Sequence, residues 1–232
     1  MIDIVFLDAG ETILHPHPSF PELFSMTLLE HDIEVAPELV APILFGMLRN
    51  WSETASEADV ENASLTPEGS RKFWTYVYRK CLTTLGVSQD LSDELYAVFS
   101  SSSTYRLFDD ALPAIRELKD AGYRVGLISN FEEWLEEMLV ELEVGDMFDV
   151  RVISGLVGVE KPDPRIYELG LEEARVPAHA AVHVGDSIML DVEPAAASGM
   201  QAILLDRAGR HADFEGHVIG SLGELHGIVR TL

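Results

Sequence analysis

The chain has 232 residues, close to half of them hydrophobic and about a quarter charged, which suits a single sizeable domain or a core domain carrying an inserted one and excludes a disordered or fibrous class. Forty acidic residues against sixteen basic ones leave a formal net charge of −24, so nucleic-acid backbones and anionic lipid, both of which reward basic patches, are not expected partners. Cys81 is the only cysteine, which excludes an intramolecular disulfide framework and a cysteine-rich zinc site, and the expected state of its thiol is a small buried apolar group. With no run of about 20 apolar residues and no basic leader before the first acidic residues, the expected location is cytoplasmic.

In chain order, the first element is "IDIVFLD", residues 2–8, an apolar run that ends in Asp8 and then turns. About a hundred residues separate it from the next run of this kind, whereas a simple βαβ crossover needs only ~30. The intervening stretch reads as helices: "FPELFSMTLLEHDI", "PELVAPILFGMLRNW", "PEGSRKFWTYVYRKCLTTLG" and "SDELYAVFSSS". The third follows Thr66 with Pro67 in its first turn and stops at Gly86, while "ETASEADVENAS", 53–64, reads as a flexible connection. Strand-like runs return at "YRVGLIS" (123–129), "DVRVIS" (149–154), "AAVHVGD" (180–186) and "QAILLD" (201–206). Helical patterns alternate with them, "EEWLEEMLVELE", "PRIYELGLEEA" and "MLDVEPAAASG", the last closed by Gly199. Near-continuous apolar strands alternating with helices imply a doubly wound, mainly parallel, five-stranded Rossmann-like α/β core in 1–18 and 106–232, with an α-helical domain inserted at 19–105.

Ligands of open α/β sheets sit past the carboxyl ends of the strands. The residues found there are Asp8, Gly10 and Thr12, then Ser129 and Asn130, then Lys161, then Asp186 and Asp191. Singly, each is an ordinary loop or cap residue. In this order they supply a nucleophilic carboxylate, a hydroxyl, a cation and an acidic pair. The constellation resembles that of the haloacid dehalogenase-like hydrolase superfamily. Its first motif, Asp-x-Asp-x-Thr after a strand, has its counterpart in "DAGET", its strand-end hydroxyl in Ser129 of "LISNF", its lysine in Lys161 of "GVEKPDPRIY", and its acidic pair in "HVGDSIMLD". The long helical insertion resembles the family's cap.

The resemblance implies a magnesium-dependent hydrolase, in the first place a phosphatase acting on a small phosphorylated metabolite. Asp8 is implied as the nucleophile that forms an aspartyl-phosphate. Ser129, Asn130 and Lys161 are implied as holders of the phosphoryl oxygens. Asp8, Asp186, Asp191 and the Gly10 carbonyl are the implied Mg²⁺ ligands, Asp191 through water. Thr12 is expected to orient Asp8, and Lys161 to act electrostatically, so that its loss costs activity and little stability.

Gly10 departs from the pattern. The family's second aspartate protonates the leaving alcohol and then activates water, help that is typically worth ~10²- to 10⁴-fold. Its absence implies a preference for good leaving groups and reduced acid–base capacity, with Glu11 as a poorly placed substitute. Three alternatives follow from it: a catalytically degenerate binding or regulatory protein, a haloacid dehalogenase, and a phosphonatase using Lys72 or Lys80. The complete acidic pair speaks against a dehalogenase, and the helical setting of the two lysines speaks against a phosphonatase. Arg49, Trp51, Trp74 and Tyr78 are candidates for a substrate pocket or for helix packing, and His15 and His17 in "LHPHPSF" suit a hinge better than a metal site.

Overall fold

A computed structural model describes residues 1–232. Eight strands run in chain order as β1 Ile4–Leu7, β2 Leu14–Pro16, β3 Tyr105–Leu107, β4 Arg124–Ser129, β5 Val150–Ile153, β6 Ala181–Gly185, β7 Gln201–Leu205 and β8 His217–Ile219. Six of them form one sheet in the order β5-β4-β1-β6-β7-β8, parallel at every pairing, with helical segments in every connection except the loop from β7 to β8. This is the doubly wound α/β core expected from the apolar runs, with one correction in strand number. The sixth strand, β8, escapes a reading by apolar runs because it has three residues at the sheet edge and only Ile219 is buried.

The chain divides into two compact units, one made of Met1–Leu14 with Leu107–Leu232 and the other of His15–Arg106. The dividing points fall within the short strands β2 and β3, which pair with each other.

In the α/β unit, all four residues of β1 are buried, and β1 lies between β4 and β6. Two glycines make room for neighbouring side chains: a Cβ on Gly126 of β4 would stand 2.4 Å from the ring of Phe6, its partner on β1, and one on the helical Gly170 would stand 2.9 Å from Ile128 of the sheet. Helix Pro164–Ala174 starts where Asp163 accepts a hydrogen bond from the Arg165 N–H and Pro164 needs none, and it buries Ile166 and Tyr167 against Phe6 and Ile128. The pattern "MLDVEPAAASG" is not one helix. It splits into a π-helical turn, Ile188–Val192, and a short helix, Glu193–Ala197, with Pro194 in its first turn and Gly199 left-handed at φ +84° after its end.

The helical unit contains Phe20–Leu29, Pro37–Arg49, Trp51–Glu57, Pro67–Thr84 and Ser92–Phe99. Ser19 and Thr66 cap the first and fourth by accepting the Glu22 and Gly69 N–H groups. The expected flexible stretch 53–64 is corrected: Trp51–Glu57 is helical, Ala55, Ala58 and Ala63 are buried, and Thr54 Oγ1 donates to the Met47 carbonyl at 2.9 Å. Small residues fill this core beneath the aromatics, a signal that composition alone does not separate from a linker. Trp51 packs on Phe73 at 4.4 Å, Phe20 stacks on Phe99 at 4.1 Å, and Trp74 and Tyr78 belong to the same cluster, while Arg49 is exposed.

Candidate active site

The β1 ladder continues one residue past Leu7, since the Asp8 N–H donates to the Val184 carbonyl on β6 at 2.9 Å, and Asp8 therefore stands at the carboxyl end of a central strand. The chain then reverses sharply. Glu11 adopts φ +56°, its N–H donates to the Leu14 carbonyl, and the Ile13 and Leu14 N–H groups both donate to the Ala9 carbonyl. Gly10 itself is not left-handed, and a Cβ placed on it meets nothing within 4 Å. Thr12 departs from expectation: its hydroxyl is buried without a partner, so it does not orient Asp8 by a hydrogen bond.

Ser129 is the buried last residue of β4, the neighbour of β1 on one side, and Asp186 follows β6, the neighbour on the other. Parallel strands in register thus bring three separate sequence motifs to one edge of the sheet. Lys161 arrives from the loop before helix Pro164–Ala174. The Asn130 side chain clamps that loop, with Nδ2 donating to the Lys161 carbonyl at 2.9 Å and Oδ1 accepting the Lys161 N–H at 2.6 Å. Asn130 is therefore a support for Lys161.

The Lys161 ammonium is 2% exposed and donates to Asp8 Oδ1 at 2.6 Å and to Asp191 Oδ1 at 2.5 Å. Asp191 is carried by the π-helical turn, in which the Asp191 and Val192 N–H groups both donate to the Ser187 carbonyl. Its Oδ2 accepts the Ser187 N–H at 3.0 Å. Only glycine fits beneath it, because a Cβ on Gly185 would stand 2.2 Å from the Asp191 carboxyl carbon. Asp8, Asp186 and Asp191 each offer a carboxylate oxygen within 4.8 Å of the other two.

Three carboxylates around one ammonium leave an excess of negative charge, and the proton affinities respond. Burial, with the Asp191 and Asp8 charges added, pushes the Asp186 carboxyl well above its usual range. Burial also raises Asp8, against the attraction of Lys161. Asp191 is held below the usual range: burial opposes ionisation there, but Lys161 and the His183 hydrogen bond outweigh it. For Lys161, burial favours the neutral amine, and the two carboxylates outweigh it and keep it an ammonium. A divalent cation among the carboxylates would relieve this excess, and an all-oxygen donor set suits a hard one. The same enclosure corrects the expectation that Lys161 is electrostatic alone, since removing it would strand buried carboxylates.

Glu11, partly buried, has its carboxyl pushed up to about 7 by burial, against the nearby Arg210 and Arg207 charges. Lys72 and Lys80 lie in surface ion pairs with Asp59 and Glu57. His15 and His17 meet edge to face at 6.1 Å, and the His15 ring turns to the Pro16 carbonyl. Burial raises the Cys81 thiol to about 12, so it is an inert core group.

Two contributors lie outside the motifs read from sequence. His183, on β6, bonds to Asp191 Oδ1 at 3.0 Å, and a lone histidine in an apolar strand was its only signal. Arg207 forms a two-bond pair with Asp110, stacks 3.9 Å over Phe108 and donates to the Thr12 carbonyl at 2.8 Å, so it braces the turn after Asp8. No local pattern marks it.

Among known proteins, the haloacid dehalogenase-like hydrolase domain-containing protein 3 of Mus musculus is 33% identical over 167 residues, 67% of this chain and 66% of that protein. The Homo sapiens protein of the same name is 28% identical over 97% of this chain and 92% of its own length. A phosphoserine phosphatase of Thermus thermophilus is 32% identical over 64% of this chain and 61% of that protein. The fold is shared with the L-2-haloacid dehalogenase of Xanthobacter autotrophicus, at a TM-score of 0.73 and 18% identity over the whole of both chains. A haloacid dehalogenase-like hydrolase profile matches residues 2–199. With its strand-end motifs gathered at one edge of a parallel sheet, the chain belongs to the haloacid dehalogenase-like hydrolase family.

Proposed function

We propose that the chain is a Mg²⁺-dependent phosphatase acting on a small phosphorylated metabolite through an aspartyl-phosphate. The observation that carries this is the cluster of Asp8, Asp191 and the partly buried Asp186 beside the buried Lys161, whose negative excess calls for a divalent cation. The phosphatase name of the Thermus thermophilus relative supports the substrate class. Asp8, Asp186, Asp191 and the Gly10 carbonyl would hold the ion. Bound there, Mg²⁺ supplies charge neutralisation for an incoming phosphate and for the charge that develops in the transition state.

Asp8 Oδ attacks phosphorus in line, a P–O bond to the carboxylate forms, and the bond to the leaving oxygen breaks. Water then cleaves the aspartyl-phosphate and releases phosphate. Lys161 steadies the attacking carboxylate and the phosphoryl oxygens, and the Ser129 hydroxyl donates to another of those oxygens. The turn uses the N–H groups of Glu11 through Leu14 internally, so those of Ala9 and Gly10 would serve the anion. The helical unit His15–Arg106 acts as the substrate-selecting cap. With no side chain at Gly10, the leaving group departs without a proton donor, which favours aryl and acyl phosphates.

Gly10 also favours a second reading, a binding protein that retains the metal site without turnover. Steady-state hydrolysis of an aryl phosphate separates the two. The enzyme should require Mg²⁺, and Asp8→Asn should lose on the order of 10⁴-fold or more. Absence of turnover with Mg²⁺ bound would favour the binding protein, and full turnover in excess chelator would remove the metal-dependent phosphatase.

A further inference from the structure

His183 is the only polar side chain in β6, in the sequence Ala-Val-His-Val-Gly, and it is 1% exposed. Phe6 of β1 stands opposite it in the sheet, and the Tyr167 ring meets it edge-on at 5.3 Å. Its Nδ1 is buried without a partner, a cost that an apolar side chain of similar bulk would avoid. One contact explains a histidine here. Its Nε2 lies 3.0 Å from Asp191 Oδ1, and because a carboxylate only accepts, Nε2 carries the hydrogen. The same Oδ1 accepts from Lys161, while Oδ2 is held by the Ser187 N–H. The Asp191 carboxylate thus accepts from three donors, two on Oδ1 and one on Oδ2. The Tyr167 hydroxyl, whose ring touches His183, donates to the Leu190 carbonyl and secures the π-helical turn that carries Asp191.

We infer that His183 is a positioning residue that fixes the Asp191 carboxylate, so that Asp191 in turn holds Lys161 against Asp8. Its catalytic consequence rests on the phosphatase reading, whereas its geometric consequence is measurable in metal-free protein.

The test compares His183→Leu, which keeps the bulk and removes the donor, with His183→Gln, which returns an N–H. Reductive methylation of metal-free protein reports how tightly Lys161 is held, and Lys72, whose side chain is 51% exposed, serves as the standard within the same molecule. In His183→Leu, Lys161 should methylate roughly tenfold faster relative to Lys72, and Mg²⁺ affinity by calorimetry should fall about tenfold, the scale usual for supports of metal-site residues. His183→Gln should restore both. A His183→Leu protein with the wild-type methylation ratio would overturn the inference, and so would a faster ratio that His183→Gln does not restore, because His183 would then be packing alone. If His183→Leu does not fold, His183→Asn replaces it, since its shorter amide falls short of Asp191, and the same ratios decide. If the wild-type protein binds no Mg²⁺, the metal-dependent phosphatase fails, and the methylation ratio still decides the role of His183.

Discussion

In the helical unit the buried polar side chains are all hydroxyls, Ser25, Thr27, Thr54, Ser64, Ser70 and Ser92, and its ion pairs stand at the surface. In the α/β unit the buried set includes Asp8, Lys161, His183 and Asp191 in one connected group. Both units have dense apolar cores. Exposed ion pairs contribute about 0–1 kcal/mol, whereas a buried group that loses one partner costs several. The difference teaches where selection has acted on something besides stability. The α/β unit tolerates carboxylates pushed above their ordinary range at one edge of the sheet, and the helical unit tolerates nothing of the kind.

The sharpest break in this contrast comes from Lys161→Ala. It leaves Asp8 and Asp191 buried without their cation and should destabilise the protein by about 3–5 kcal/mol in denaturant melts, with turnover falling ~10²- to 10³-fold. Activity and stability should fall together, and recovery of stability in a Lys161→Met, Asp191→Asn double variant would locate the loss in unpaired charge.

Gly10→Asp tests the acid–base deficit. Open space around Gly10 and its ordinary backbone conformation admit the side chain, so hydrolysis of alkyl phosphates should rise by up to ~10²-fold, and that of aryl phosphates by less. Equal gains on both, or none in a folded variant, would assign the proton transfers elsewhere, with Glu11 the nearest alternative.

Metal and pH sharpen the contrast further. Asp186 and Asp8 have raised carboxyl values in the folded protein, so the metal-free fold loses stability as pH rises from the unfolded value through the folded ones. Mg²⁺ binds the ionised form and offsets that loss. At a concentration of ~100 times Kd it should add about 2.7 kcal/mol, with a larger rise in melting temperature at about pH 8 than at about pH 5. An increment independent of pH would place the ion outside the carboxylate cluster. At the small end, Lys72→Ala on the helical surface should change stability by less than about 1 kcal/mol.

The sequence made part of this legible for physical reasons. Asp8, Ser129 and Asp186 each follow an apolar run directly, and a parallel sheet in register brings the ends of its strands together, so a one-dimensional pattern became a three-dimensional site. Lys161 was readable from its motif, but its burial was not, because that depends on Asn130 and Asp191, each 30 or more residues away. Arg207 and Asp110 are 97 residues apart and meet only through the fold. β8 and the helix Trp51–Glu57 were missed because a short edge strand and a small-residue helix carry too little apolar periodicity to mark them.

Rapid chemical quench of the protein mixed with an aryl phosphate and Mg²⁺, followed by mass analysis of the peptide that carries Asp8, tests the central claim most directly. With the acid–base side chain missing at Gly10, hydrolysis of the intermediate should be the slow step, so a burst of phenol should coincide with a phosphoryl group on Asp8 that is absent from Asp8→Asn. Steady turnover with neither a burst nor a phosphorylated Asp8 peptide would contradict the account.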